Sequence, residues 1–174
     1  VSELRFTPLA GPYNGLDKKI AFIKECYSKS LSDPRVRSYA EITAGKGPIL
    51  AQAGALFRNL VAHFTYMSDP LGFHHKGRGV GLEYTKSPTT MMDQFSTRKT
   101  FVGDCDDAAC LSYAFLQSIG IPTLIRVTWY KDNPRMPKHI YVVPVISGVE
   151  YPFDITRKVP QFGSEAPYLR KVDF

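Results

Sequence analysis

The segment that most limits the fold is residues 104–119, a helix whose two ends are both spelled out in the sequence. Asp104 suits an N-cap, Asp107 sits three residues on, and Gly120 followed by Pro122 ends the helix. Beyond it the periodicity changes from helical to alternating. Residues 123–130 (TLIRVTWY) alternate as a strand, and residues 138–146 and 149–155 are two more strands around Ser147-Gly148. Those two residues suit a two-residue hairpin turn. Helices followed by an antiparallel sheet make an α+β fold.

Upstream the pattern is mostly helical. Residues 16–30 place Ile20, Ile23 and Tyr27 at helical spacing, with Lys and Glu between them. Asp33-Pro34 starts a second helix, with Asp as cap and Pro at the first helical position; it runs to about Ile42. Residues 49–62 form a third, with Leu50, Ala53, Leu56 (or Phe57) and Leu60 on one side. His63 closes that helix, and the following Phe64–Tyr66 reads as extended. Residues 70–100, rich in Gly, Pro, Ser and Thr, read as a long surface loop with a short helix near Thr89–Phe95. The expected organisation is one domain over residues 1–174, with a helical N-terminal extension at 1–48, a core at 49–156 and a C-terminal tail at 157–174.

Composition excludes several classes. With 174 residues, 44% hydrophobic and 13% aromatic, the chain can bury a core without staples and does not read as disordered. The net charge of +6 is spread over scattered pairs such as Lys18-Lys19 and Arg170-Lys171. There is no basic stripe with a reading element, so no nucleic-acid partner is expected. No apolar run approaches the ~18–20 residues of a membrane span. No signal peptide is visible, and a cytoplasmic or virion-associated place is expected. The chain begins at Val1, which suits a piece of a larger polypeptide. Three cysteines, Cys26, Cys105 and Cys110, are no disulfide framework.

Cys105 stands apart from the other two. With Asp104 as cap it is the first residue of the helix, beside unpaired N–H groups and the positive end of the helix dipole. That setting favours thiolate and can stabilise an oxyanion. Asp104, Asp106 and Asp107 work against it, since like charge raises a thiol pKa. Successive side chains point about 100° apart, so Asp106 and Asp107 are expected to cap the helix or face solvent. Cys26 and Cys110 suit the core.

Of four histidines, His74 and His75 lie in the Gly-rich loop and His63 suits a helix end. His139 opens a strand beside the loop Lys131–Lys138. With Ser147-Gly148 as the turn, Ile146 pairs with Val149, Tyr141 with Asp154 and His139 with Thr156. His139 and Asp154 then become diagonal neighbours on one face, roughly 7 Å apart at Cα. A Cys nucleophile, a His base and an Asp that orients the base form a triad for acyl transfer.

These residues resemble the transglutaminase-like superfamily. The resemblance rests on Gly103-Asp104-Cys105-Asp106-Asp107-Ala108-Ala109-Cys110-Leu111, then Ser118-Ile119-Gly120-Ile121-Pro122, His139-Ile140-Tyr141 and Tyr151-Pro152-Phe153-Asp154-Ile155-Thr156. It covers residues 49–156, where Val61–Pro70 is similar to the strand before the substrate loop. It implies a papain-like α+β core with the Cys helix packed on an antiparallel sheet. It also implies Cys–His–Asp chemistry on a protein or peptide substrate, without metal or organic cofactor. The D-C-D-D form is most similar to bacterial and phage members, which implies a phage particle as one setting.

In the cross-linking transglutaminases an aromatic residue follows the Cys; here it is Asp106. That inclines the expectation toward a cysteine peptidase or amidase, with cross-linking as the alternative product. Gln94 is a candidate side-chain oxyanion donor because its amide N–H is suitable, and Tyr84 is a second. A silent structural module would also keep the fold, but no triad residue has been lost. A metal site built from Asp104, Cys105, Asp106, Asp107 and a histidine lacks the regular ligand series of zinc or calcium sites, so none is expected.

Overall fold

The computed structural model describes residues 16–68, 82–132, 134–135 and 137–174, together with 4–8; of 4–8 and 82–84 the backbone alone is described. In chain order the elements are β1 (Leu4–Pro8), α1 (Leu16–Ser30), α2 (Pro34–Ala44), α3 (Ile49–His63), β2 (Phe64–Tyr66) and β3 (Leu82–Lys86). They continue with α4 (Pro88–Arg98), β4 (Phe101–Gly103), α5 (Cys105–Ser118), β5 (Thr123–Trp129), β6 (His139–Ile146), β7 (Val149–Glu150) and β8 (Arg170–Asp173). Among the described residues no helix is long and apolar enough to cross a membrane.

The helix α5 occupies the centre. Every residue from Asp106 to Leu116 is buried, which is why its sequence carries few charges beyond the first turn. α1 and α2 pack on one side of it and the main sheet on the other. Ile20, Ile23, Cys26, Val36 and Ala40 therefore share one core with Phe115, Val127, Trp129 and Val142. Burying each large apolar side chain in such a layer contributes about 1.5–3 kcal/mol. Cys26 and Cys110 lie in this layer, as their apolar contexts suggest.

The main sheet is antiparallel, in the order β7-β6-β5-β8. Its hairpin turns on Ser147 and Gly148, at φ 52° and 77°. Two successive left-handed residues match the right-handed twist of the flanking strands. The turn sets Ile146 opposite Val149. Regular pairing in β7 stops at Glu150, earlier than the expected strand to residue 155, because Pro144, opposite Tyr151, has no N–H to return to the Tyr151 carbonyl. The register survives the interruption: the Tyr151 N–H donates to the Pro144 carbonyl at 3.0 Å and the Phe153 N–H to that of Val142 at 2.9 Å.

Four strands escaped the sequence pattern. β1 lies in the segment read as a helical extension, β3 within the stretch read as loop, β4 between that stretch and α5, and β8 within the tail. β3 pairs antiparallel with β1, and β4 runs parallel to β2. β8 pairs with β5 and covers what would otherwise be an open sheet edge. Residues 69–81, including His74 and His75, and the side chain of Tyr84 lie outside the described residues.

Candidate active site

The turn into α5 is built around a close approach at Gly103. A Cβ there would sit 2.2 Å from Asp107 Oδ2, so only glycine fits. Asp107 comes this close because it folds back over the helix start. Its Oδ2 accepts from the Asp104 N–H at 3.3 Å, while Asp104 Oδ1 accepts from the Asp106 N–H at 3.1 Å. This reciprocal cap fixes Cys105 as the first helical residue, half-buried, at the positive end of the dipole.

The expectation that Asp106 and Asp107 cap the helix or face solvent needs correction. Asp107 caps, but both are buried, at 2% and 0% exposure. Asp106 turns into the protein, where it accepts the Thr85 hydroxyl and meets Lys19 Nζ at 3.0 Å. Asp107 accepts the Lys86 N–H at 2.6 Å and pairs with the Lys86 ammonium. Buried carboxylates require partners of this kind, and β3 and α1 supply them. Burial pushes Asp106 upward, yet its contacts to Asp104, Lys19 and Thr85 outweigh that and hold it below the usual carboxylate range. For Asp107 burial wins over the Lys86 bonds, and its pKa is raised.

The thiol feels the same surroundings. Burial pushes Cys105 up to about 12, Asp106 and Asp104 add to the rise, and Lys19 and a hydrogen bond from the Ile140 N–H oppose it. The helix terminus therefore does not make a resting thiolate by itself. The Ile140 contact places the sulfur against the peptide that follows His139.

His139 opens β6 opposite Thr128. Its Nε2 lies 2.6 Å from Asp154 Oδ2. Asp154 is buried, and its Oδ1 accepts the Thr156 N–H at 3.1 Å and the Thr156 hydroxyl at 2.8 Å. Burial raises the Asp154 pKa, but the His139 and Thr156 bonds bring it below the ordinary value. With Nε2 engaged by Asp154, Nδ1 is the ring nitrogen that this bond leaves open. The His139 ring is flanked by Tyr130, stacked at 6.5 Å, and Tyr141, tilted at 5.5 Å.

Gln94 sits on α4 with its Oε1 buried and without a hydrogen-bond partner among the described residues. No described contact brings it to Cys105. Tyr66 is a neighbour the sequence did not single out. It ends β2 opposite Gly103, is half-exposed, and its pKa is raised by burial and then by Cys105, Asp104 and Asp106. Parallel pairing of β2 with β4 puts it there, and that pairing has no local sequence signal. Asp104, Cys105 and Asp106 hold ligand atoms within 4.8 Å of one another. The Asp106 carboxylate is already balanced by Lys19 and Thr85, and Asp104 Oδ1 by a backbone N–H, so the cluster is satisfied as it stands.

This fold is similar to that of a putative protease from Parabacteroides distasonis, at TM-score 0.56 and 11% identity, over 78% of this chain and 26% of that one. A putative cysteine protease from Cytophaga hutchinsonii aligns at TM-score 0.47 and 19% identity, over 87% of this chain and 41% of that one. The chain thus spans less than half the length of either. No protein-family model matches the chain, and no curated protein is similar to it. The architecture is α+β, with the Cys105 helix packed on an antiparallel sheet.

Proposed function

We propose that this protein is a thiol-dependent acyl-transfer enzyme acting on amide bonds, a cysteine peptidase or amidase with Cys105 as nucleophile, His139 as general base and Asp154 as its orienter. The observation that carries this is the 2.6 Å bond from His139 to a buried Asp154, on a hairpin whose next residue, Ile140, donates to the sulfur of a helix-capped cysteine. The resemblance of the D-C-D-D segment to transglutaminase-like proteins supports the same assignment.

Because the thiol is held high, proton removal accompanies attack. His139 Nδ1 takes the thiol proton as sulfur bonds to the carbonyl carbon, and Asp154 stabilises the imidazolium that forms. The carbonyl electrons move to oxygen, where the Cys105 N–H and the helix terminus oppose the negative charge. Collapse expels the amine, which takes the proton from His139, and leaves a thioester. Water then gives a proton to His139 and its oxygen to the acyl carbon, and the thiol returns.

Iodoacetamide labelling with peptide mapping tests the nucleophile. Cys105 is expected to label ahead of the buried Cys26 and Cys110, and to slow in His139→Ala. Equal rates, or no dependence on His139, would leave only a structural module. Product analysis on peptide substrates then separates the two acyl-transfer outcomes. A new amine and carboxylate support hydrolysis; an isopeptide with ammonia release would move the protein to the cross-linking type.

A further inference from the structure

Lys19 is anomalous on its helix. The buried stripe of α1 runs through Phe22, Ile23, Cys26 and Ser30, and Lys19 stands at the spacing that continues this stripe. Its neighbour Lys18 is exposed, whereas the Lys19 side chain is 15% exposed and reaches Asp106 at 3.0 Å. A lysine on an apolar face costs free energy unless it meets an anion. The anion it meets is the residue directly after Cys105.

We propose that Lys19 is a positioning residue of the Cys105 site, its ammonium offsetting the Asp106 carboxylate and holding it turned inward so that Cys105 can release its proton to His139. This rests on the acyl-transfer reading. It makes α1, from the segment that reads as an extension, a working part of the site.

The charge pattern carries the argument. Around the start of α5 stand three carboxylates, Asp104, Asp106 and Asp107, against two ammonium groups, Lys19 on Asp106 and Lys86 on Asp107. From the other elements the thiol is met by Tyr66 of β2, by Tyr130 after β5 and by the Ile140 N–H of β6, next to His139. Of the lysines, Lys19 acts directly on the thiol, against the rise caused by burial, Asp106 and Asp104. Removing it leaves the buried Asp106 with its bonds to Thr85 and Asp104 but without the Lys19 ammonium, and a thiolate would form beside a carboxylate whose charge is no longer offset. The Asp106 side chain would also lose the tether to α1 that holds it inward.

The test is the pH–rate profile of Cys105 carboxamidomethylation by iodoacetamide. It is read in the wild type, Lys19→Met, Lys19→Arg, Lys19→Met/Asp106→Asn and His139→Ala, with circular dichroism as the folding check. Lys19→Met should shift the profile to higher pH by about one unit, about a tenfold slower reaction at a given pH. Lys19→Arg should stay within about threefold of the wild type, because the charge is kept. The double variant should recover the wild-type rate, since carboxylate and cation leave together; it also serves if Lys19→Met alone does not fold. A folded Lys19→Met with an unshifted profile overturns the inference, as does a double variant as slow as the single one. Labelling that is equally fast in His139→Ala removes the acyl-transfer reading and this inference with it. Labelling that depends on His139 but not on Lys19 removes this inference alone.

Discussion

His139 Nε2 lies 2.6 Å from Asp154 Oδ2, and the other oxygen of that carboxylate is held twice by Thr156. The carboxylate is thus fixed before it meets the imidazole, and it fixes which ring nitrogen is free. Asp154→Asn keeps the volume but offers Nε2 an amide in place of an acceptor of full charge. The variant should fold and lose about 100- to 10,000-fold in kcat/KM. Thr156→Val should cost less, about 3- to 10-fold, because the backbone N–H of residue 156 still donates. Amide hydrolysis assays with thermal unfolding as control check both; an Asp154→Asn enzyme of full activity would end the orienting role.

Gly103 and Asp107 make the other close approach in the site. Alanine at 103 would put a methyl group 2.2 Å from Asp107 Oδ2, so the reciprocal cap of α5 has to open. Loss of that cap and the steric shift together should destabilise the protein by about 2–3 kcal/mol. Urea unfolding measures it. In an Asp107→Gly background the same substitution should cost clearly less, because the Asp107 Oδ2, Cγ and Cβ atoms it would meet are gone. Equal costs in the two backgrounds would mean that the cap is not what the glycine protects.

How far these relationships can be read from the chain depends on their range. The α5 caps and the Ser147-Gly148 turn are local, and the turn carries the register to His139 and Asp154 fifteen residues apart without any tertiary knowledge. Pro144 takes one donor out of that ladder without shifting it. The inward turn of Asp106 could not be read, because its partners, Thr85 and Lys19, come from β3 and α1. Nor could β1, β3, β4 and β8, which are short and take their pairing from strands distant in the sequence. Gln94 was chosen for the chemistry of its amide, and chemistry alone does not place a side chain.

Arg126 ties the C-terminal segment to the sheet. It is 1% exposed, with its guanidinium on Asp173 at 2.7 Å, Glu165 at 3.0 Å and Glu150 at 2.6 Å. The carboxylates are partly exposed and can rehydrate, so Arg126→Met should cost about 3 kcal/mol, at the lower end for a broken buried pair. The β8 strand should loosen first. Limited proteolysis should then cut the variant within residues 157–174 faster than the wild type, and chemical denaturation should show the lost stability. A variant as stable and as resistant as the wild type would mean that β8 is held by its backbone pairing with β5.

The setting of Cys105 predicts an unusual pH response. A pre-formed thiolate–imidazolium pair would give a labelling rate that is flat across neutral pH. Here burial first, then Asp106 and Asp104, push the thiol from 9.0 up to about 12 in the folded protein. The thiolate fraction should therefore climb about tenfold per unit between about pH 7 and pH 9, with no plateau. The denatured chain, freed of burial and of the fixed aspartates, should level off once the pH passes the ordinary thiol value. Asp106→Asn removes the second-largest cause of the rise and should move the folded profile to lower pH. Stopped-flow or quenched labelling with mass detection at Cys105 reads all three. A plateau below about pH 8 in the native protein would instead mean that the imidazole of His139 already holds the thiol proton at rest.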